Sequence, residues 1–366
     1  MKRFTIMLKP ASSGCDMRCG YCFYTDISAL RKDASMGVMK RETVTALLNN
    51  VFSELISGDM VTFAFQGGEP GLMGLDFFHF FTNEVSSIAP VGVSVDYAFQ
   101  TNGICIDDDW CAFFKQYDFL IGLSLDGDAS LHNQNRTDNH GKGTFNRVMD
   151  AKKKLDAAGV RYNILCVLTS ESSRRAGRIW NFILREKIKY IQFIPCLEPL
   201  ESGEEDAGNY GAALTGAKFF RFYSELFPLW KKEVIAGNYV SVKLFDDLIA
   251  LLLHGMPGSC GLSGRCSPQI VVEADGGVYP CDFYVLDEYK AGDLTCQSLR
   301  DVFNAVVNCG FLEFQSEVSA CCSDCAHNRW CKGGCKRMSR AVYGDICGMR
   351  SFLDKYLSEL LEIGRF

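Results

Sequence analysis

From its N-terminus to about residue 197 the chain alternates short β-rich apolar runs with amphipathic helical segments, and this alternation restricts the possible fold most strongly. The runs are FTIMLKP (4–10), VTFAFQG (61–67), VSVDYAFQT (93–101), FLIGLSLDG (119–127), YNILCVLTS (162–170) and YIQFIPC (190–196). Between them lie segments such as GTFNRVMDAKKKLDAAG (143–159). There Phe145, Val148, Met149 and Leu155 fall on one helical face and Gly159 supplies a C-terminal stop. A crossover helix returns the chain to the same edge direction, so six such units predict a parallel sheet. Six falls short of the eight that close a TIM barrel, and the expectation is an α/β fold with a partial (β/α)6 TIM-like barrel. Chemistry in such sheets gathers at the C-terminal ends of the strands. The loop holding Cys15, Cys19 and Cys22, QGGEP (66–70), QTNG (100–103) and SLDG (124–127) all fall there.

The remainder reads differently. LEPLESGEEDAGNYG (197–211) is acidic and glycine-rich, and KFFRFYSELFPLWKKEV (218–234) is a helical bridge. Beyond about residue 255 come short strands such as QIVVEADGGVYPCD (269–282), with ADGG as a hairpin turn, and 11 of the 18 cysteines. At 366 residues the chain is long enough for two domains. The expected division is 1–235, a barrel with bridging helices, and 236–366, a small cysteine-rich domain. A net charge of −6 argues against nucleic acid or an anionic membrane as the main partner. The first apolar run is cut to five residues by Lys9 and Pro10, short of the ~7 to 15 of a signal h-region. No later run, LIALLL (248–253) included, approaches the ~20 residues of a span. A cytoplasmic protein is expected, in which thiols stay reduced, so the cysteines point to metal or redox chemistry more than to disulfides.

In SSGCDMRCGYCFYTD (12–26), Cys15, Cys19 and Cys22 have the spacing C-x3-C-x2-C. A closed zinc site and an electron-transfer iron–sulfur cluster each take four ligands. Three thiolates can hold three irons of a cubane and leave the fourth open to a substrate. Three structural thiols that happen to lie close together would give the same spacing. The loop follows the first predicted strand, and Tyr21 precedes the last cysteine. In these features it resembles the radical S-adenosylmethionine (SAM) superfamily. The resemblance implies that the open iron of a [4Fe-4S] cluster is chelated by SAM, whose reductive cleavage yields a 5′-deoxyadenosyl radical. It also implies that Tyr21 and the GGEP segment, with Gly67, Gly68 and Glu69, belong to the SAM site, where the segment meets the ammonium group. Ser124 and Arg136 match the contacts to the ribose and the methionyl carboxylate.

The C-terminal pattern CCSDCAHNRWCKGGC would on its own suggest zinc. Together with Cys260, Cys266 and Cys281 it resembles the SPASM domain, which holds two auxiliary [4Fe-4S] clusters. The resemblance assigns Cys260, Cys266, Cys281 and Cys335 to the first, and Cys322, Cys325, Cys331 and Cys347 to the second. Cys322 is taken over Cys321 because it restores C-x2-C with Cys325. Cys105, Cys111, Cys166, Cys196, Cys296, Cys309 and Cys321 are left over, mostly as small buried hydrophobes. His327 is expected at the surface, and Lys332, Lys336 and Arg337 on a solvated basic face.

Segments along nearly the whole chain, among them KPASSGC, FAFQGGEP, FQTNG, GLSLDG, QFIPCLEPL, VYPCDFYVLD and CKGGCKR, are similar to those of anaerobic sulfatase-maturating enzymes. Gly71, where relatives commonly carry Thr, the acidic 201–206 loop and Cys321 depart from that pattern. The resemblance implies oxygen-independent oxidation of a Cys or Ser in a sulfatase to Cα-formylglycine, with three [4Fe-4S] clusters and SAM as cofactors. Hydrogen-atom abstraction from Cβ is paired with proton removal by Asp282, with Tyr24 and Gln66 nearby, and with electron transfer to an auxiliary cluster. The implied partners are an unfolded or nascent C/S-x-P-x-R segment and a low-potential donor such as flavodoxin or ferredoxin. A SPASM maturase that cross-links a ribosomal peptide would share the cofactors and architecture, and a non-catalytic iron–sulfur or zinc scaffold would share the cysteines.

Overall fold

The computed structural model describes residues 1–200, 211–256, 258–313, 322–344 and 346–365. The acidic 201–206 stretch and Cys321 lie outside the described residues. Ten strands follow in chain order: β1 Arg3–Leu8, β2 Met60–Phe65, β3 Ser94–Thr101, β4 Leu120–Ser124, β5 Tyr162–Leu168, β6 Tyr190–Pro195, β7 Ser241–Val242, β8 Ile270–Val272, β9 Gly277–Tyr279 and β10 Gly292–Asp293. The six apolar runs all become strands, most of them stopping slightly before the run does. The chain leaves β1 at Lys9-Pro10, where proline has no N–H for a ladder, and leaves β2 at Gln66-Gly67, just where the site begins. Among the described residues no closed barrel forms.

The chain divides into two compact units. The first comprises Met1–Ser124, Arg136–Tyr162 and Pro268–Glu313. Its central strands β1 to β4 are parallel, with Ile6 opposite Phe63 and Phe65 opposite Phe99. The β8–β9 hairpin turns through the ADGG segment, and β8 joins the free edge of β1 in parallel, Ile6 opposite Ile270. β10 then pairs antiparallel with β9. Both faces of such a sheet need apolar cover. The inward positions of β2 and β3 meet helices Leu75–Ile88 and Asp108–Gln116 through Phe63, Phe65, Phe78, Phe81, Phe99 and Phe114, each at most 1% exposed. Their rings pack edge to face, as Phe65 and Phe78 do at 5.0 Å and 83°. Each ring withdrawn from water contributes about 1.5–3 kcal/mol. The helix predicted over 143–159 runs from Phe145 to Ala158 and buries Val148, Met149 and Leu155.

The second unit comprises Leu125–Asn135, Asn163–Ser267 and the described part of Phe314–Phe366. β5, β6 and β7 pair in parallel there. The bridge helix, Gly216–Ile235, packs Phe227 on Tyr356 of helix Gly348–Ile363, with ring centroids 4.5 Å apart. Pro228 sits inside the bridge helix and supplies no N–H to the carbonyl four residues earlier, that of Ser224. The Tyr356 hydroxyl donates to that Ser224 carbonyl at 3.0 Å, which satisfies the group the proline orphans. No helix among the described residues is long and apolar enough to cross a membrane.

Candidate active site

The loop after β1 is tied down by its own backbone. Lys9 N–H donates to Val272 O (2.9 Å), Gly14 N–H to Ala11 O (2.8 Å) and Cys22 N–H to Cys19 O (3.1 Å). Cys22 then opens the helix Phe23–Ala29. Cys15, Cys19 and Cys22 are all half-buried and in no disulfide. Burial pushes the Cys15 thiol up to about 12, and the charges of Glu69, Asp16 and Cys19 add to this against the N–H that Met17 donates to it. A thiol so placed becomes a thiolate only with a cation beside it. Among the described residues no three His, Cys, Asp or Glu side chains converge as ligands of a single metal ion. Mononuclear ligands crowd around one point at ~2.3 Å, whereas a cubane takes each thiolate at a separate corner. Three half-buried thiols spaced along one short loop fit an iron–sulfur cluster by their chemistry.

The GGE segment after β2 is laced to this loop. Gly68 N–H donates to Ser12 O (2.8 Å) and Glu69 N–H to Gly14 O (2.7 Å). The approach is so close that a Cβ on Gly68 would stand 2.0 Å from the Gly14 carbonyl oxygen. Glu69 is 1% exposed, and its carboxylate accepts from Gly71 N–H (2.9 Å), the Thr101 hydroxyl (2.9 Å) and Asn102 N–H (2.7 Å). Burial outweighs these three donors and lifts its carboxyl to about 7. Asn102 reaches on, its Nδ2 donating to Asp16 Oδ1 at 2.7 Å. Thr101 and Asn102 therefore tie the end of β3 to Glu69, and Asn102 ties it on to the cysteine loop, a role the sequence reading of QTNG left unassigned. Gly71 also has a local reason, because Cys105 Sγ fills the space where its side chain would be, 2.3 Å from a built Cβ.

On the other side of the loop, Arg18 N–H donates to Thr137 O at 2.8 Å. This places the buried Arg136 guanidinium 5.5 Å from the centroid of the Tyr21 ring. Ser124, at the end of β4, accepts from Gln100 Nε2 at 3.1 Å.

Asp282 follows β9 and opens the short turn Asp282–Tyr284, 6% exposed. The Tyr24 hydroxyl lies 2.9 and 2.8 Å from its two carboxylate oxygens. Gln66 Nε2 donates to Oδ2 at 2.8 Å and to Tyr24 Oη at 3.0 Å. Lys9 Nζ sits 2.8 Å from Oδ1 and 4.2 Å from the Tyr24 ring centroid. Burial, reinforced by the Asp282 charge, holds the Tyr24 phenol well above its ordinary range, so it stays protonated and donates. The structure thus brings Asp282, Tyr24 and Gln66 together and adds Lys9. In the sequence Lys9 showed only as the charge that broke an apolar run.

Cys281 lies in the first unit, and the remaining C-terminal cysteines named as ligands lie in the second. There burial raises the Cys260 thiol, and the charges of Cys335 and Cys266 raise it further. Burial, then Cys325 and Cys322, does the same to Cys331. Cys347 caps helix Gly348–Ile363 by accepting Arg350 N–H at 3.3 Å. The buried Tyr343 phenol is held high first by burial and then by the charges of Cys331, Cys347, Cys335 and Cys322. Three expectations need correction. His327 is not a surface residue: it is 6% exposed, with Nε2 2.7 Å from Asp354 Oδ1 and its ring stacked on Trp330. Lys336 is 8% exposed and hydrogen-bonded to Cys266, and Arg337 donates to Glu198 O at 2.6 Å; only Lys332 is solvated. Of the leftover cysteines, Cys111, Cys166 and Cys196 are buried, while Cys105 and Cys309 are half-buried and Cys296 is exposed. Charged and polar side chains bury here because partners distant in sequence meet them, which no local pattern reports.

The Radical SAM superfamily profile matches residues 10–176, and that of an iron–sulfur cluster-binding domain, SPASM, matches residues 260–336. A cysteine-type anaerobic sulfatase-maturating enzyme of Clostridium novyi (strain NT) is 38% identical over 372 residues, covering 100% of this chain and 98% of that protein. A serine-type anaerobic sulfatase-maturating enzyme of Bacteroides thetaiotaomicron is 29% identical over 362 residues, covering 94% and 86%. The solved structure of native anSMEcpe with bound AdoMet and Cp18Cys peptide superposes with a TM-score of 0.89 at 34% identity, covering 99% of each chain.

Proposed function

The chain belongs to the anaerobic sulfatase-maturating enzymes of the radical SAM superfamily, and from that membership we propose that its target is a cysteine in a C-x-P-x-R type segment of an unfolded or nascent sulfatase. It is a radical SAM oxidoreductase that makes Cα-formylglycine without oxygen, with SAM and [4Fe-4S] clusters as cofactors. Cysteine is favoured over serine because the cysteine-type relative shares 38% of its residues with this chain and the serine-type relative 29%.

Cys15, Cys19 and Cys22 would hold the cluster that binds SAM; Cys260, Cys266, Cys281 and Cys335 the first auxiliary cluster; and Cys322, Cys325, Cys331 and Cys347 the second. Bound there, these groups would supply one-electron chemistry at the target Cβ and a sink for the electron left behind; with the thiol proton also removed, the resulting thioaldehyde would be hydrolysed by water to the aldehyde, releasing sulfide. The protein's own side chains do the rest. Tyr21, Ser124 and Arg136 border the SAM site. Gly67 and Gly68 bring the main chain close to it, and Glu69, saturated by donors from the loops after β2 and β3, braces those loops. Asp282 takes the thiol proton, and Tyr24 and Gln66 orient its carboxylate. One observation carries this reading of the site: a buried carboxylate, next in sequence to Cys281, is gripped by donors from the ends of β1 and β2 and the first helix.

A low-potential flavodoxin or ferredoxin is the proposed reductant and the cytoplasm the proposed location; the net charge of −6 suits neither nucleic acid nor an anionic membrane. Anaerobic incubation of the reconstituted enzyme with C-x-P-x-R and S-x-P-x-R peptides, followed by mass analysis, tests the target. Formylglycine from the cysteine peptide is expected at the higher rate. Faster conversion of the serine peptide would overturn the assignment.

A further inference from the structure

Lys9 is 1% exposed, and a buried ammonium is costly unless something pairs with it. Its position is enforced. Its N–H donates to Val272 O at 2.9 Å, its carbonyl accepts from Ser12 N–H at 3.0 Å, and its stem runs beside Gly67. A Cβ built on Gly67 would stand 3.2 Å from Lys9 Cβ, 3.3 Å from Lys9 Cγ and 2.9 Å from Ser12 O, at a φ of +118°. The absence of a side chain at position 67 therefore keeps open the lane that Lys9 occupies.

At the end of that lane the ammonium meets Asp282 Oδ1 at 2.8 Å, while Gln66 holds Oδ2 and Tyr24 spans both oxygens. Tyr24 and Gln66 are half-buried while Lys9 is 1% exposed, so Lys9 holds the carboxylate from the more deeply buried direction. This inference rests on the reading that Asp282 takes the substrate proton. We infer that Lys9 is a positioning residue, anchoring Oδ1 of Asp282 while Gln66 and Tyr24 hold its other contacts, so that the carboxylate keeps the plane in which it meets a substrate thiol. An ammonium at the end of a stem threaded past a glycine is a fixed anchor; without it the carboxylate plane can turn about χ2 away from the angle that aims an oxygen at the substrate.

The test uses reconstituted holoenzyme carrying Lys9→Met, Lys9→Arg, Asp282→Asn, or Lys9→Met together with Asp282→Asn, each checked for iron content. 5′-Deoxyadenosine and formylglycine are then measured over a range of peptide concentrations. Lys9→Met is expected to keep its iron and its SAM cleavage. Formylglycine kcat should fall at least ~10-fold with little change in peptide KM, the signature of a misaligned base. Lys9→Arg should recover most of that loss, and Lys9→Met should add no further loss in the Asp282→Asn background. An unchanged ratio of 5′-deoxyadenosine to formylglycine in Lys9→Met would overturn the inference. So would a further loss on top of Asp282→Asn, or iron loss in both the Met and Arg variants. If Asp282→Asn alone leaves product formation intact, the assignment of the base has failed, and this inference falls with it.

Discussion

Replacing Asp282 by Asn separates the proton step from the radical step. The side chain keeps its size and one acceptor oxygen, so Lys9 Nζ, 2.8 Å away in a pair whose side chains are 2% and 9% exposed, still finds a partner. What is lost is basicity, together with the second acceptor. The new amide nitrogen must face Gln66 Nε2 or the Tyr24 hydroxyl, both donors to the carboxylate. Removing one partner of a buried ion pair outright costs ~3–5 kcal/mol. With an acceptor retained, the expected loss is the ~1–3 kcal/mol of one unsatisfied polar group. A domain of this size survives that. A positioned general base contributes ~10² to 10⁴ in rate, or about 3–5 kcal/mol of barrier. Formylglycine formation should therefore fall at least ~100-fold while SAM cleavage stays broadly the same, raising 5′-deoxyadenosine per formylglycine by a similar factor. Anaerobic assays that quantify both products from one reaction, with iron measured in parallel, read this directly. Unchanged product formation would reduce Asp282 to a turn residue. Parallel collapse of SAM cleavage and product would mean that it supports the fold or the cluster site through Cys281.

Replacing Cys15, Cys19 and Cys22 together by Ala should abolish SAM cleavage and remove about a third of the iron, from about 12 atoms per chain with three cubanes; cleavage that survives would refute the assignment. Glu69 yields a pH prediction. Its folded carboxyl is raised to about 7, so the folded chain holds that proton more tightly than the unfolded chain does. The stability this confers is full below the ordinary glutamate range and is lost as pH rises to about 7, a difference of about 3 kcal/mol. Anaerobic urea midpoints at pH 5 and pH 8 should therefore converge in Glu69→Gln relative to the parent, and an unaltered gap would show that another group carries the dependence.

The six strands, the helix over Phe145–Ala158 and the placing of the Cys15–Cys22 loop at the C-terminal end of the first strand were legible without coordinates. Apolar period and turn residues are local properties, and alternation of strand with helix leaves few topologies. The C-x3-C-x2-C spacing was legible for a related reason: thiols a few residues apart on one loop cannot be far apart in space, and the resemblance to known families then supplied the cluster chemistry. The fold alone decided which distant polar groups share a buried volume. The β8–β9 hairpin joins β1, and this carries Asp282 to Tyr24 across 258 positions. No local pattern names the strand edge a hairpin will complete. The same contact turns Lys9 from a residue that merely broke an apolar run into a buried cation, and packing sinks His327 and Lys336 where composition suggested a wet surface. A polar side chain buries when a partner waits inside to repay its desolvation. Such partners are set by tertiary packing, and for that reason the cysteine motifs could be recognised in the sequence while the groups that hold Asp282 could not be derived from any local pattern.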